Sequence, residues 1–369
     1  MHDSEIHGKL KRLGAFLDRH SLDGVWLQQR NNFAWITGGK CNRIVNSSPI
    51  GVAAILATRE SRICVTNTIE GPRFHDEEMC ETGVETVEFP WHDRAAGQKV
   101  ARDILAGRKI AGDSDELGLG LRPLPGDFAE LRWELTPQEI DRYRDGAKRT
   151  TAAIESAGRL LKRGMTEHHI AGLLDEMTHS RGCNPIVTLI ASDERIERFR
   201  HPIPTAKPAQ QYVMLVICAE FGGLISCATR FVHFGAMSNE LKQKQRAICS
   251  IDAAVNLATR PGRTLGDIFA DLQRAYADKG FADQWKFHHQ GGSTGYTGRE
   301  IIATPGCNIV ARANQAFAWN PSIRGVKSED TILCTDAGIE ILTQSASSWP
   351  TLMAETPGGN LARADMLVL

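Results

Sequence analysis

The most constraining feature of this sequence is residues 212–235, YVMLVICAEFGGLISCATRFVHFG, in which two apolar runs flank a pair of glycines. Two apolar runs around a Gly-Gly turn are typical of a β-hairpin. With the tight turn at Phe221-Gly222, Val216 and Cys227 are predicted to face each other across the hairpin. Opposed side chains of this kind have Cβ atoms about 4.5–5.5 Å apart. The spacing therefore predicts that these two side chains share one face of a sheet.

Length and composition indicate an ordinary globular chain. The chain has 369 residues, of which 42% are hydrophobic. At roughly 100–200 residues per domain, two domains are expected, each able to bury a core. The net charge is -1 and no stretch is persistently basic, which argues against nucleic acid or an anionic membrane surface as the main partner. There is no run of about 18 apolar residues, so no membrane span is expected.

The N-terminal residues and the cysteines bear on cellular location. The start, MHDSEIHGKLKRLG, carries mixed charge and has no apolar signal core. Nine cysteines are scattered without a CxxC pair, so neither a disulfide framework nor a structural zinc site is indicated. Reduced thiols predict a cytoplasmic protein.

The first part of the chain predicts a small α/β domain. Apolar residues recur at helical spacing in 7–20, and 23–29 is typical of a strand. Residues 31–39 are predicted as a second extended segment that ends in glycines. The apolar stretches 50–57 and 61–67 predict a pair of strands.

A strong helix start marks the predicted domain boundary. In Thr136-Pro137-Gln138-Glu139, threonine can cap the helix, proline suits the first helical position and glutamate completes a capping box. The boundary is therefore placed just before Thr136, which gives domains at 1–135 and 136–369. The other elements predicted for the second domain are helices from 137 to about 162 and at 166–182, the hairpin, helices at 239–259 and 264–279, and a strand-rich end at 285–350.

The order of these elements resembles that of one protein family. After helix–helix–hairpin–helix–helix come the motifs HHQGG, AWNPSI and KSEDTIL. This order resembles the creatinase/aminopeptidase P/prolidase superfamily, called M24 or pita-bread proteins, over nearly the whole chain. NFAWITG in the first domain and TGYTGRE at 294–300 are also similar to stretches of the family. The resemblance implies an α/β N-terminal domain followed by an α+β pita-bread C-terminal domain.

Metal-dependent members of this family use two aspartates, one histidine and two glutamates as ligands. Carried over by position, these ligands fall on Val216, Cys227, His288 or His289, Asn320 and Glu329. Only the histidine and Glu329 keep the family's residue type. Valine has no donor atom and asparagine offers a neutral carbonyl oxygen, whereas hard divalent cations prefer several charged oxygens. The substitutions therefore predict that no dinuclear metal centre forms.

One metal-binding alternative remains. Cys227, His288 and Glu329 would make a three-ligand site with an open position, which is the pattern of a catalytic zinc. The other interpretation is that Cys227 packs as a small hydrophobic residue, because Val216 and Cys218 give its face an apolar, soft character. No cofactor is therefore expected, with one Zn or Mn ion as the alternative.

Three histidines are candidates for proton transfer. His288 and His289 are adjacent in a predicted strand, where successive side chains point to opposite faces, so at most one should enter a common site. His201 lies in RFRHPIPTAKP, where the resemblance to creatinase implies an acid/base histidine. Imidazole titrates near neutrality and can take and return a proton. The other interpretation of His201 is a solvated loop residue.

Further polar residues are candidates for substrate binding. Glu329 orients a histidine or holds a substrate cation, unless it forms a buried ion pair with Arg230 or Lys327. Asn320 binds a substrate carboxylate or carbonyl, or is a turn residue. Arg299 grips a carboxylate with two donors, or forms a structural salt bridge. The predicted substrate-binding residues are Asn320, Arg299, Tyr296 and Arg230.

Several functions are compatible with these residues. By resemblance to creatinase, the leading hypothesis is a metal-independent hydrolase that cleaves a C–N bond in a small amino-acid-like or amidine substrate. The alternatives are an Xaa-Pro aminopeptidase or dipeptidase with one residual metal ion, a non-catalytic binding protein, and a lyase or cyclase on the same scaffold. The expected partners are a small-molecule substrate and, by family likeness, a second copy of the chain, with neither nucleic acid nor membrane.

Overall fold

The structure is a computed structural model that describes residues 2–369. The chain divides into two compact units. Residues up to Arg132, together with Thr136–Glu139, form the first unit, and Trp133–Leu135 with Ile140–Leu369 form the second. The domain boundary predicted just before Thr136 falls among residues 133–139, where short stretches of the chain alternate between the two units. Across the described residues, no helix combines the length and the apolar character needed to cross a membrane.

The first unit is built around one six-stranded sheet. The elements are α1 (His2–His20), β1 (Gly24–Gln29), α2 (Arg30–Thr37), β2 (Ile50–Ala57), β3 (Arg62–Asn67), α3 (Gly71–Arg73), β4 (Glu85–Phe89), α4 (Arg94–Leu105), β5 (Ile110–Gly112) and β6 (Arg122–Pro123). The strand order in the sheet is β4-β3-β2-β1-β5-β6. A π-helical segment, Phe74–Glu78, follows α3, and a 3₁₀ helix, Gly126–Arg132, follows β6. The predicted strand pair is confirmed, because β2 and β3 pair antiparallel.

The prediction of an extended segment at 31–39 is wrong, because this stretch forms α2. Its apolar residues Phe33, Trp35 and Ile36 are all fully buried. A helix buried on most of its sides has no polar face, so its sequence lacks the 3.6-residue periodicity that identifies exposed helices. Gly38 ends the helix in the left-handed conformation, with φ of 73°, and its backbone N–H bonds to helix carbonyls.

The capping box predicted at Thr136 is present at the start of α5 (Pro137–Arg159). The backbone N–H of Thr136 donates to Glu139 Oε2 at 2.7 Å, and the N–H of Glu139 donates to Thr136 Oγ1 at 3.3 Å. Replacing Thr136 with alanine should lower the free energy of unfolding by about 0.5–2 kcal/mol, because one helix N–H loses its acceptor. Urea denaturation of Thr136→Ala beside Thr136→Ser, which keeps the hydroxyl, checks this; equal losses in both variants would contradict it.

From residue 140 onward, a nine-stranded sheet dominates. The elements after α5 are α6 (Glu167–His179), β7 (Asn184–Ser192), α7 (Glu194–Arg198), β8 (Tyr212–Phe221), β9 (Leu224–His233), α8 (Asn239–Ala258), α9 (Leu265–Asp278), β10 (Gly291–Thr294), β11 (Ile301–Ile302), β12 (Gln315–Trp319), β13 (Ser322–Ile323), β14 (Val326–Lys327), β15 (Asp330–Thr335), β16 (Gly338–Ile341), β17 (Thr351–Thr356), β18 (Gly359–Ala364) and β19 (Leu367–Val368). The central strand order of the sheet is β11-β10-β12-β15-β9-β8-β7, with β16 beside β15 and β19 beside β9. The predicted hairpin and the helices predicted around it are confirmed.

The β8–β9 hairpin separates two hydrophobic cores. Met214 and Val216 pack into the core that contains residues of α8 and α9. Val213 and Leu215, which point the opposite way, pack into the core that contains residues of α5 and α6. This alternation, with a period of two, explains why β8 reads as one continuous apolar run: both of its faces are covered.

The turn of this hairpin is Gly222-Gly223, with φ angles of 54° and 77°. A two-residue turn with positive φ at both positions suits two glycines and disfavours Phe221, which instead pairs with Leu224. This shifts the register, so that Val216 pairs with Thr229, and Cys218 pairs with Cys227. The prediction that Val216 faces Cys227 directly is therefore wrong; they are diagonal neighbours.

Candidate active site

Three histidines from two distant segments meet at one place. His201 lies in the segment between α7 and β8, and His288 and His289 lie between the 3₁₀ helix Gln284–Phe287 and β10. His201 Nε2 and His288 Nε2 are 3.0 Å apart, so one of these nitrogens donates a hydrogen bond to the other. The ring centroid of His201 is 5.6 Å from that of His289. One nitrogen from each of the three rings lies within 4.8 Å of the others.

The prediction that His288 and His289 point to opposite faces is wrong. These residues precede the strand, which begins only at Gly291, so strand alternation does not apply to them. Their rings stack with centroids 4.5 Å apart and an interplanar angle of 27°. Both rings therefore contribute to one cluster, which we call the histidine cluster (His201, His288 and His289).

Two glycines next to the histidine cluster allow close strand pairing. A Cβ atom on Gly291 would lie 2.2 Å from the carbonyl oxygen of Ala318, and one on Gly292 would lie 2.0 Å from that of Ile301. Only glycine fits at these positions, which explains the two glycines of HHQGG. They let β10 lie between β12 and β11 and so set the position of His289 relative to the sheet.

A buried ion triad, formed by Glu329, Arg299 and Lys327, lies beside the histidine cluster. Glu329 is 2% exposed and accepts from Arg299 Nη2 at 3.0 Å through Oε1. Its Oε2 accepts from Lys327 Nζ at 2.7 Å and from Thr229 Oγ1 at 2.8 Å. Glu329 therefore has the buried ion pair with Lys327 that the sequence offered as one interpretation, and a second pair with Arg299. It makes no pair with Arg230 among the described residues.

These groups border a cavity of about 360 Å³. Its lining residues are Val187, Leu189, His201, Val216, Cys218, His289, Gly298, Arg299, Asn320, Lys327 and Glu329. Two of the cross-strand pairs between β7 and β8, Leu189 with Val216 and Val187 with Cys218, form a largely apolar wall. The cavity thus combines one apolar side with charged and imidazole groups, a composition typical of small-molecule sites.

The histidine cluster is neutral at neutral pH. Burial, together with the positive charge of Lys327, lowers the pKa of His288 to about 2. Burial and the positive charge of Arg299 lower the pKa of His289 to about 4. The pKa of His201 is also lowered, by burial and then by Lys327. Neutral imidazoles can accept a proton or bind a metal ion.

The ion triad stays charged in spite of its burial. Burial alone would raise the pKa of Glu329, but the charges and hydrogen bonds of Lys327 and Arg299 outweigh it and lower the pKa to about 2. Burial likewise opposes the charge on Arg299, whereas Cys227 and Glu329 raise its pKa above the ordinary value. With neutral imidazoles, the lining residues carry two positive charges and one negative charge, so the cavity has a net positive charge.

Cys218 and Cys227 sit against this triad. The Nη1 atom of Arg299 donates to Cys227 Sγ at 3.4 Å. The pKa of Cys227 is lowered, because its hydrogen bond with Cys218 and the charge of Arg299 outweigh burial. The same bond and burial raise the pKa of Cys218. Cys227 is fully buried and packs with Ile225 and Ala318, as the packing interpretation predicted, while Cys218 lines the cavity.

Asn320 lies directly after β12 and reaches the cavity. Its backbone N–H donates to the carbonyl oxygen of Gln290 at 3.1 Å, which ties it to the segment that carries the histidines. Its side-chain Oδ1 is buried and has no hydrogen-bond partner among the described residues. The same holds for Arg299 Nε and for the Nδ1 atoms of His288 and His289. Buried polar atoms are normally bonded, and Asn320, Arg299 and His289 all line the cavity, so ordered water or a bound molecule there completes the bonding of these atoms.

Arg230 and Tyr296, which the sequence suggested for substrate binding, are not among the residues that line this cavity. Arg230 is 1% exposed and pairs with Asp330 Oδ1 at 3.0 Å and Glu155 Oε1 at 3.4 Å. The hydroxyl of Tyr296 accepts from Arg142 Nη2 at 3.0 Å. These contacts give both residues structural roles within the second unit.

The sequence pointed to Lys327 only as a structural partner and did not point to the apolar wall residues from β7. Lys327 stands two positions before Glu329 in KSEDTIL, and side chains two apart in an extended segment share a face. That spacing could have identified Lys327 as a residue of the site. Nothing in the sequence indicated that Val187 and Leu189 line a cavity, because any buried strand contains such residues.

The five positions of the family's metal pair do not fit two metal ions here. Val216 offers no donor atom, and Cys227 Sγ is engaged by Arg299. Both carboxylate oxygens of Glu329 are occupied by cationic donors, so a cation approaching them would meet Arg299 and Lys327. For the same reason, the single-ion site predicted from Cys227, His288 and Glu329 has two of its three ligands already committed.

Comparisons with known proteins agree with this architecture. Residues 141–336 match the model of metallopeptidase family M24. An uncharacterized peptidase of Staphylococcus aureus (strain MW2) is 23% identical over 223 residues, which cover 58% of this chain. The match spans 63% of that relative's own length, which is less than two thirds of it.

Solved structures resemble the whole chain. An Xaa-Pro dipeptidase from Bacillus anthracis has a TM-score of 0.77 at 19% identity, and the match covers 98% of this chain and 99% of that chain. An X-Pro aminopeptidase from Thermotoga maritima MSB8 has a TM-score of 0.76 at 17% identity, with 98% and 99% covered. At such identities the likeness shows the fold, and the predicted α/β unit followed by a pita-bread α+β unit is confirmed.

Proposed function

The chain belongs to metallopeptidase family M24, and from that premise we propose that it hydrolyses the amide bond of small Xaa-Pro-type substrates, with the histidine cluster in place of a metal pair. The observation that carries this proposal is the meeting of His201 and His289 with Arg299, Lys327 and Glu329 around one cavity. The resemblance to Xaa-Pro peptidases supports this substrate class over the creatinase-like hypothesis.

The neutral histidines supply the proton transfers that amide hydrolysis needs. His201, the exposed member of the cluster, takes a proton from water as that water adds to the carbonyl carbon. The carbonyl electrons move to oxygen, and a positive donor in the cavity stabilises the resulting negative charge. When the C–N bond breaks, the imidazolium returns its proton to the leaving nitrogen. His288 holds His201 in place through the 3.0 Å contact between their Nε2 atoms.

The cavity matches a short, compact substrate with one anionic end. Its volume of about 360 Å³ is at the small end of the range of roughly 300–1,000 Å³ for ligand sites. Val187, Leu189 and Val216 offer an apolar surface for a proline ring. The cavity has a net positive charge, and Arg299 Nε has no hydrogen-bond partner in the part of the chain that the structure describes. Both features suit the carboxylate of a dipeptide.

A product assay tests this function. Purified protein is incubated with a panel of Xaa-Pro dipeptides, with the matching prolinamides, and with creatine, each with and without a strong chelator. We expect free proline from the dipeptides with chelator present, weaker cleavage of the prolinamides because they lack the carboxylate, and no change in creatine. Absence of proline from every dipeptide, with and without added Zn²⁺ or Mn²⁺, would refute the proposal.

A second candidate is the same hydrolysis assisted by one metal ion. The geometry of the histidine cluster supports it, because three neutral imidazoles with nitrogens within 4.8 Å of one another are a ligand set found in catalytic zinc sites. An ion held by His201, His288 and His289 would supply a Lewis acid for the carbonyl oxygen. Metal analysis by mass spectrometry after loading decides between the candidates: about one ion per chain, lost in His289→Ala, favours the second.

A further inference from the structure

We propose that Cys218 and Cys227 form a redox-sensitive dithiol in the wall of the cavity, which peroxides convert to an intramolecular disulfide. The two sulfur atoms would react in the same way whichever reaction the cavity catalyses. Oxidation of the cysteines is measured without substrate, so a negative result would leave the proposed hydrolysis untested and not refuted.

The register of β8 and β9 places the two cysteines in the geometry that a disulfide needs. Cys218 and Cys227 are directly opposite partners in the antiparallel pair. Directly opposed residues have Cα atoms about 4.5–5.5 Å apart, which lies inside the range of about 4.4–6.8 Å spanned by disulfides. Cys218 also packs against the small cluster of buried residues that contains Cys227, so the two side chains lie on the same face of the hairpin and next to each other.

Access to the pair is one-sided. Cys218 lines the cavity and is half-buried, whereas Cys227 is fully buried behind it. A small oxidant that enters the cavity therefore reaches Cys218 first. Cys227 is within reach to resolve the product but is shielded from reacting by itself. This division of roles is that of a reacting and a resolving cysteine.

The chemistry balances with a peroxide as oxidant. Cys218 reacts as its thiolate, so the raised pKa of this thiol makes the first step slow. Its sulfur attacks one oxygen of hydrogen peroxide, the O–O bond breaks, and the released hydroxide takes up the thiol proton, which gives a sulfenic acid and one water molecule. The Cys227 sulfur then attacks the Cys218 sulfur, the S–O bond breaks, and a second water molecule leaves. The two thiols lose two hydrogen atoms and two electrons, which the peroxide accepts.

Oxidation of the two cysteines would change a contact of Arg299, a member of the ion triad. Arg299 Nη1 donates to Cys227 Sγ, and the same guanidinium holds Glu329 through Nη2. A disulfide sulfur is a poorer acceptor than the sulfur of a free cysteine whose pKa is lowered. Formation of the bond would therefore loosen one of the contacts that hold Arg299 in the cavity.

Peptide mapping of peroxide-treated full-length protein is the first test. We expect a loss of two hydrogens in the intact mass and a cross-linked peptide that joins residues 218 and 227, both reversed by dithiothreitol. Cys80→Ser, which removes an exposed cysteine, should leave the cross-link unchanged. Oxidation confined to Cys80, or a sulfenic or sulfinic acid at Cys218 without the cross-link, would overturn the proposal.

An arsenical provides a second test that needs no oxidation. Phenylarsine oxide bridges two thiols that lie close together, so reduced native protein should bind one equivalent that dithiothreitol removes. Cys218→Ala and Cys227→Ala should each abolish this binding, whereas Cys80→Ser should not. Binding that survives both alanine variants would show that another pair is responsible. Because wild-type protein alone yields the cross-link and the stoichiometry, the proposal remains testable even where a variant fails to fold.

Discussion

Replacing His201 with alanine is expected to lower kcat for Xaa-Pro hydrolysis by about 10²- to 10⁴-fold, the usual contribution of a general acid–base group. The side chain lines the cavity and contacts His288 through Nε2, and its lowered pKa keeps it unprotonated and able to accept a proton at neutral pH. Steady-state kinetics on the best dipeptide of the panel measures the effect, with thermal unfolding to confirm that the variant is folded.

The matched control for this prediction is His168→Ala. His168 is an exposed histidine in α6 and lines none of the site described here, so its removal should leave kcat unchanged. His288→Ala is expected to give a smaller loss than His201→Ala, because His288 orients His201 and does not line the cavity. If His201→Ala retained the wild-type kcat, proton transfer by this residue would be ruled out.

Replacing Glu329 with glutamine should destabilise the protein by about 3–5 kcal/mol, because removal of one partner of a buried ion pair leaves uncompensated charge behind. Here the neutral amide would leave two cations, Arg299 and Lys327, without their shared carboxylate. Urea denaturation at neutral pH measures the difference. Glu340→Gln, which breaks the partly exposed pair with Arg144, should cost only about 0–1 kcal/mol.

The lowered pKa of Glu329 also predicts that its contribution to the free energy of unfolding depends on pH. The pKa of Glu329 is about 2 in the folded protein, below the ordinary value of 4.5. A carboxyl group whose pKa is lowered by folding contributes its full stabilisation above the unfolded-state pKa, and this contribution is lost as the pH falls toward the folded-state value. The difference in stability between the wild type and Glu329→Gln should therefore be constant above pH 4.5 and shrink toward pH 2. A difference that stays constant down to pH 2 would show that folding does not lower the pKa of Glu329, and so that Lys327 and Arg299 do not stabilise its charge.

Glu329 binds other side chains here, at a position where the resemblance to the family implies a metal ligand. In the family pattern this glutamate is a metal ligand, and here its two oxygens serve Arg299, Lys327 and Thr229. The positive charge beside the cavity then comes from side chains. Charged side chains thus line the cavity although positions 216, 227 and 320 hold valine, cysteine and asparagine.

Most of the fold was predictable because the signals that specify it are local. The capping box at Thr136, the pair of glycines in the hairpin and the helical spacing of apolar residues in 7–20 each involve residues a few positions apart. The buried helix α2 and the exact register of the hairpin were mispredicted. In both cases the deciding factor was packing: α2 is covered on most sides, and the turn selected the pair of residues that tolerates positive φ.

The prediction that no dinuclear metal centre forms also came from the sequence, because it depends only on which residue types stand at motif positions. The composition of the cavity was a matter of tertiary structure. His201 and His288 are 87 residues apart in the chain, and Arg299 and Glu329 are 30 apart, so no periodicity links either pair. Their contacts exist because the nine-stranded sheet brings together the segments that carry them. Burial and the nearby cations keep the histidines neutral there, while Lys327 and Arg299 keep Glu329 charged in spite of its burial.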